Sequence, residues 1–273
     1  MEMVTCLTLI VGQILDLQLE PIIIFLSLIS GIVVGFSLGL MGGGGSILAV
    51  PLLIYVVGLS PHLSFGTSAL SVAVNAITNL IQHKKNGHVK IRKGLVFAIP
   101  GAAGAFFGAQ LGLLTPSNHL LVLFGLFMIG IAIFMLRHKH TAQNVVVDNF
   151  GTMQKMRLVI TGLFVGVAAG YFGIGGGFLI APTLIYIGGF GILDAIGTSL
   201  LPVSAFGLTT ASRYAMDGQI NLIISALFIV GGIGGGMLGT RLSTKIPIRK
   251  LAKLFAILLI AVAIYVIMRS ISF

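Results

Sequence analysis

Two Gly-Thr-Ser triplets, Gly66-Thr67-Ser68 and Gly197-Thr198-Ser199, stand 131 residues apart in a chain of 273. Each offers two hydroxyls beside a glycine-freed N–H. Shortly before each lies a glycine cluster followed by proline: GLMGGGGSILAVP at 39–51 and GYFGIGGGFLIAP at 170–182. Glycine and proline are the poorest helix formers, so these stretches should interrupt a helix. An interrupted helix frees backbone N–H groups, and the N-terminus of the next helix carries partial positive charge. Hydroxyls and backbone donors together suit an anion. Gly44, Gly45, Thr67, Ser68, Gly175, Gly176, Thr198 and Ser199 are therefore the candidate substrate-binding residues.

Asn75 follows on the same segment as Thr67 and completes the set, with Asn79, Thr209, Thr210 and Ser212 as further path-lining groups. Each has a plainer reading. Small residues let membrane helices approach, and asparagine can bridge helices. Serine and threonine bond back to their own helix carbonyls. Tyr171 adjoins the second glycine cluster and reads either as a site residue or as packing. Arg213 lies four residues before Asp217, which suits a helical ion pair. Alternatively it attracts anions at an outer mouth, a one-sided role because its repeat equivalent is Gln82.

These groups need elements to hold them, and composition sets the class. Charged residues make up 8% of the chain against roughly 25% for a soluble domain, and mean hydropathy is +1.12. No Asp, Glu, Lys or Arg occurs at 21–83, 94–136, 158–193, 195–212, 218–240 or 254–268. With roughly 20 apolar residues per crossing, these runs hold about ten segments. The expected fold is an all-α polytopic membrane protein embedded in the lipid bilayer.

An offset of 131 aligns the two halves without gaps. Gly35, Gly39, Gly42, Gly44, Gly45, Leu48, Pro51, Leu53, Ile54, Tyr55, Gly58, Gly66, Thr67 and Ser68 all recur, 14 identities in 34 positions. Segments are expected near 22–41, 46–58, 63–82, 94–113 and 119–136, then 158–173, 177–190, 195–214, 221–240 and 251–268. The organisation reads as an N-terminal segment at 1–20, a first repeat at 21–137, a basic cytoplasmic linker at 138–157 and a second repeat at 158–273. Five crossings per half force two inverted five-helix repeats.

Charge agrees with inversion. Fourteen of the 16 basic residues fall in three places: Lys84 to Lys93, Arg137 to Arg157, and Arg241 to Lys253. Cytoplasmic loops attract Lys and Arg. The basic loop follows the third segment in one half and the fourth in the other. Both termini are then expected outside the cytoplasm, in a multi-pass protein of the inner (plasma) membrane. If segments two and seven were re-entrant, the basic loops would fall on opposite sides. The net charge of +10 is thus a topology signal, and no nucleic-acid partner is expected. Cys6 is the single cysteine, so no internal disulfide forms.

The paired glycine-rich–Pro segments and paired Gly-Thr-Ser triplets resemble the TauE/SafE family of sulfite and organosulfonate transporters, over roughly residues 31–268. The resemblance implies transport of small sulfur-containing oxyanions, often export. The first half departs slightly, with Ser46 where the second has Gly177, and Gly43 where it has Ile174. Inverted repeats with interrupted helices independently mark secondary transporters, whose sites lie near the midplane at the repeat interface.

Proton-coupled carriers keep ionisable groups inside the membrane, and the six acidic residues here sit near termini, loops or segment ends. The histidines also fall near loops. The expectation is facilitated anion efflux, with the coupling ion unassigned and sodium held by backbone carbonyls also open. No enzyme is expected. The glycines lack a following Lys-Ser or Lys-Thr, Ser46 lacks the second glycine of a Gly-x-Ser-Gly pattern, and no His-Glu-x-x-His occurs. No cofactor or metal is assigned, and a homo-oligomer is left open. The alternative is a channel-like pore or a carrier for a different small solute or ion.

Overall fold

The computed structural model describes residues 21–137, 151–243 and 248–271. The N-terminal segment with Cys6, most of the basic linker and Lys245 lie outside them. Ten α-helices are found among the described residues: α1 (Pro21–Met41), α2 (Ala49–Tyr55), α3 (Pro61–Lys85), α4 (Ile91–Leu114), α5 (Ser117–Arg137), α6 (Thr152–Tyr171), α7 (Gly177–Tyr186), α8 (Ile192–Met216), α9 (Leu222–Ser243) and α10 (Ile248–Ile271). A 3-10 segment, Gly42–Leu48, links α1 to α2. Six of them, α1, α3, α4, α5, α8 and α9, are long and apolar enough to cross a membrane. Outer helix faces carry Phe25, Ile99, Phe107 and, on α6, Phe164 in the open. A surface of that kind needs lipid around it.

Local chemistry explains where helices stop. Pro61 opens α3 from an extended Ser60, the position where proline loses no helical bond. At the other end Gly87 turns left-handed (φ +78°), and the N–H groups of Gly87 and His88 close back on Lys84 and His83. Gly173 does the same after α6, with its N–H on Gly170 and that of Ile174 on Ala169. The second glycine cluster therefore ends one helix and begins another. The first winds into a 3-10 turn instead. Helix α6 starts at Thr152, inside the stretch read as linker.

Close contacts fix the directions of the helices. Gly31, Gly35 and Gly39 of α1 meet Phe228, Gly232 and Gly236 of α9 in ascending order, so these two run parallel. Asn75 and Asn79 of α3 meet Gly232 and Gly236, so α3 runs with them. The other half repeats the pattern: Gly162, Gly166 and Gly170 of α6 meet Phe97, Gly101 and Ala105 of α4. A Cβ at Gly35 would lie 2.0 Å from the Gly232 carbonyl oxygen, and one at Gly166 2.0 Å from that of Gly101. Only glycine permits such approach. The equivalent helices α3 and α8 run antiparallel, since Gly66 packs at Tyr214 while Gly207 packs at Ala69 and Ala73. So do α5 and α10, with Gly125 against Ile267 and the Ser270 hydroxyl on the Asn118 carbonyl at 3.3 Å.

Two consequences follow. Contacts between the halves recur with partners exchanged at the 131-residue offset, the pattern a two-fold axis produces. And because α1 and α3 are parallel, the chain between Met41 and Pro61 must travel back along them. The 3-10 segment and α2 cover roughly 25 Å of that return, whereas ten-residue α7 covers about 15 Å. The ends of α1, α3 and α9 and the starts of α4 and α6 share one end of the bundle. The described basic residues Lys84, Lys85, Lys90, Arg92, Lys93, Lys155, Arg157 and Arg241 sit there. Arg213 lies at the other end.

Candidate transport site

The glycine breaks of the two halves meet in the centre. A Cβ on Gly43 would fall 2.0 Å from the Gly177 Cα, so the two backbones touch. Beside them left-handed Gly175 is wedged between two equivalent valines, Val72 of α3 and Val203 of α8, each 3.2 Å from where its Cβ would be. Gly44 lies in the 3-10 segment. Gly45 presses back on Ser37 of α1. Gly176 is left-handed and caps α7.

Each break lies against the Gly-Thr-Ser helix of the opposite half. Gly42 abuts Ile196 and the Ser199 hydroxyl, and Gly173 abuts Phe65, the equivalent of Ile196. The triplets are wholly buried, but their hydroxyls are used differently. The Thr67 hydroxyl accepts the Asn221 N–H at 3.0 Å, and that of Thr198 accepts the Lys90 N–H at 2.9 Å. These equivalent bonds tie each loop to the start of the opposite helix. The Ser199 hydroxyl donates to its own Ile196 carbonyl at 2.8 Å and accepts the Gly43 N–H at 3.4 Å. Its equivalent Ser68 has no partner among the described residues, because the matching amide, Ile174, bonds to Ala169.

Asn75 is the second unpartnered polar side chain. It is fully buried on α3, and neither atom of its amide is hydrogen-bonded among the described residues. Glycine at 232 makes its room, since a Cβ there would strike the amide nitrogen at 2.1 Å. Ser68 and Asn75 sit one turn to either side of Val72, facing the same way on the helix. Burying such groups without partners costs free energy. Neither Asp, Glu, Lys nor Arg occurs at 61–82 of α3 or 195–212 of α8. The lining here is neutral and presents a hydroxyl and an amide. No group of three or more metal-ligating side chains is found among the described residues.

Two candidates lie elsewhere. The Tyr171 hydroxyl is 3.0 Å from that of Thr115, at the far end of α4 and α6. Arg213 is fastened to Gln110 and, at 2.8 Å, to Asp217, which is the helical pair its spacing suggested. His83, set aside as a loop neighbour by the sequence, is buried on the α3 face that carries Ser68, Val72, Asn75 and Asn79. The 4-3-4-4 spacing of those positions was the signal that could have found it.

The family profile described as "Sulfite exporter TauE/SafE" matches residues 27–266. A probable membrane transporter protein of Xylella fastidiosa (strain Temecula1) is 49% identical over 88% of this chain and 94% of its own length. The probable membrane transporter protein YunE of Bacillus subtilis is 27% identical over 88% of this chain and 96% of its own. One from Methanocaldococcus jannaschii is 25% identical over 86% and 92%. No solved structure matches the chain.

Proposed function

The chain belongs to the sulfite exporter TauE/SafE family, and we propose that this membrane transporter moves small sulfur-containing oxyanions, of the sulfite, thiosulfate or organosulfonate type, outward by alternating access. One observation carries the reading: the Ser68 hydroxyl and the Asn75 amide are buried and unpartnered beside the crossing of the two glycine breaks. The Ser68 O–H and the Asn75 NH₂ are both free to donate to the oxygens of an oxyanion, in a site with no ionised side chain. The backbone contact of Gly43 with Gly177 closes the centre, which supports a carrier rather than an open pore.

The molecule crosses the membrane ten times as two inverted halves, with its basic end in the cytoplasm and both termini outside. Antiparallel α3 and α8 support the inversion, and parallel α1 and α3 support full passage of the broken segment between them. The Lys and Arg residues gathered at one end support the orientation. An inside-negative potential drives a dianion outward by about 4.6 kcal/mol per 100 mV, on a scale of roughly 2.3 kcal/mol per charge.

Purified protein in liposomes tests this. Efflux of labelled sulfite, thiosulfate, sulfoacetate and sulfate is followed under an imposed potential. Saturable, potential-driven flux of one of the sulfur oxyanions, lost in Ser68→Ala, is the expected result. Flux of none of them by folded protein overturns the substrate class, and flux unchanged at zero potential overturns the driving force.

A further inference from the structure

A second group of unpartnered polar atoms lies further along α3, towards the basic end. The Asn79 Nδ2 and the His83 Nδ1 are buried without partners among the described residues. The two residues are four apart, hence neighbours on one helix face. Helices α1, α3 and α9 meet there: Gly39 packs on Gly236 and Thr240, and Asn79 fills the notch at Gly236. The Thr240 hydroxyl reaches the Asn79 Oδ1 at 3.5 Å, leaving the Asn79 NH₂ unused.

The histidine tautomer follows from its partner. Its Nε2 lies 3.3 Å from the Gly39 carbonyl oxygen, which only accepts, so Nε2 carries the hydrogen. In the neutral ring Nδ1 is then a bare acceptor. An anion held by the Asn79 amide beside it meets a lone pair, and the repulsion ends when Nδ1 takes a proton and becomes a donor. The second half has no such pair, for the equivalents of Asn79 and His83 are Thr210 and Tyr214.

Building on the transport reading above, we propose that Asn79 and His83 form a second anion subsite at the basic end, one that takes up one proton together with each anion. The proton comes from water at that end and adds to His83 Nδ1; no other bond forms or breaks. Other titratable groups stand around it. Lys84, Lys85, His88 and Lys90 lie on or after the end of α3, Asp194 at the start of α8 pairs with His88 and Lys90, and Arg241 lies at the end of α9. Described α1 carries no titratable side chain. Among the described residues only His83 combines full burial with an unpartnered ring nitrogen.

Thiosulfate is the probe, because it stays a dianion across the working pH range. Its binding to purified protein is measured calorimetrically in two buffers of different ionisation heat, which counts protons. We expect uptake of about one proton per protein molecule as this subsite fills, and about tenfold tighter binding at this subsite per unit fall in pH while free His83 is neutral. In His83→Gln, where the amide still donates to Gly39, both effects vanish and thiosulfate still binds at the centre. In His88→Gln both persist. Binding by the wild type with no proton uptake overturns this subsite and leaves the transport reading standing, a result that needs no variant. Uptake that survives His83→Gln, or disappears with His88→Gln, overturns the assignment to His83. Failure of every sulfur oxyanion to bind removes the anion reading and this subsite with it.

Discussion

Gly43 and Gly177 press backbone to backbone at the centre of the molecule, one from each half. Both stand at positions where the repeats differ, for the equivalent of Gly43 is Ile174 and that of Gly177 is Ser46. One crossing of the breaks is therefore bare, while its equivalent carries two side chains. The Ser46 hydroxyl on that other side turns inward to the Gly43 carbonyl at 2.8 Å.

Gly43→Ala and Gly177→Ala should each cost about 3 kcal/mol or more, because the new Cβ meets backbone that cannot swing aside. Thermal unfolding in detergent measures this. Gly234→Ala, where a Cβ meets nothing within 4 Å, is the control and should unfold with the wild type.

Thr67→Val should destabilise by about 1–3 kcal/mol, the penalty for orphaning a buried N–H. Thr198→Val should cost clearly less. The amide it abandons belongs to exposed Lys90, which water can serve, whereas Asn221 is buried. Equal losses in the two unfolding curves would contradict this account, and serine at either position should restore most of the stability.

Ser68→Ala should behave oppositely. Its hydroxyl has no partner to lose, so stability should hold or rise slightly while anion affinity falls by about tenfold or more, the value of a hydrogen bond to a charged group. Parallel melting and binding measurements separate the two quantities. An alanine variant that melts early and binds normally would make Ser68 a structural residue.

Lys85 and Met216 are equivalent exposed positions at the ends of α3 and α8. In a Cys6→Ser background, Lys85→Cys should react with an impermeant maleimide only from the cytoplasm and Met216→Cys only from outside. Labelling from the same side would end the inverted arrangement.

Arg213→Gln should leave anion affinity within about twofold and lower stability by about 1 kcal/mol or less. Its guanidinium is already committed to Asp217 and Gln110, and a partly exposed pair of this kind contributes little.

The sequence by itself determined the class, an all-helical membrane protein, and displayed the internal duplication as a sequence pattern. A chain with 8% charged residues cannot solvate a surface, and a constant 131-residue offset survives without any knowledge of contacts. The glycine breaks, too, were legible, since backbone freedom is a local property; that the first would wind into a 3-10 turn was not. Tertiary structure decided which atoms are free. Thr67 and Ser68 read alike in the chain, yet one hydroxyl is tied to a loop of the other half and the other is left open. Ser68 and Ser199 are equivalent by repeat and unequal in fact, because Gly43 offers its N–H across the centre where Ile174 spends its own on Ala169. The burial of His83 was hidden for the same reason: its place near a loop is a fact of the chain, but its partner is a carbonyl 44 residues away on α1. A hydroxyl, amide or ring nitrogen is satisfied by whatever helix lands beside it. That is settled by non-local packing, which no spacing along one segment encodes.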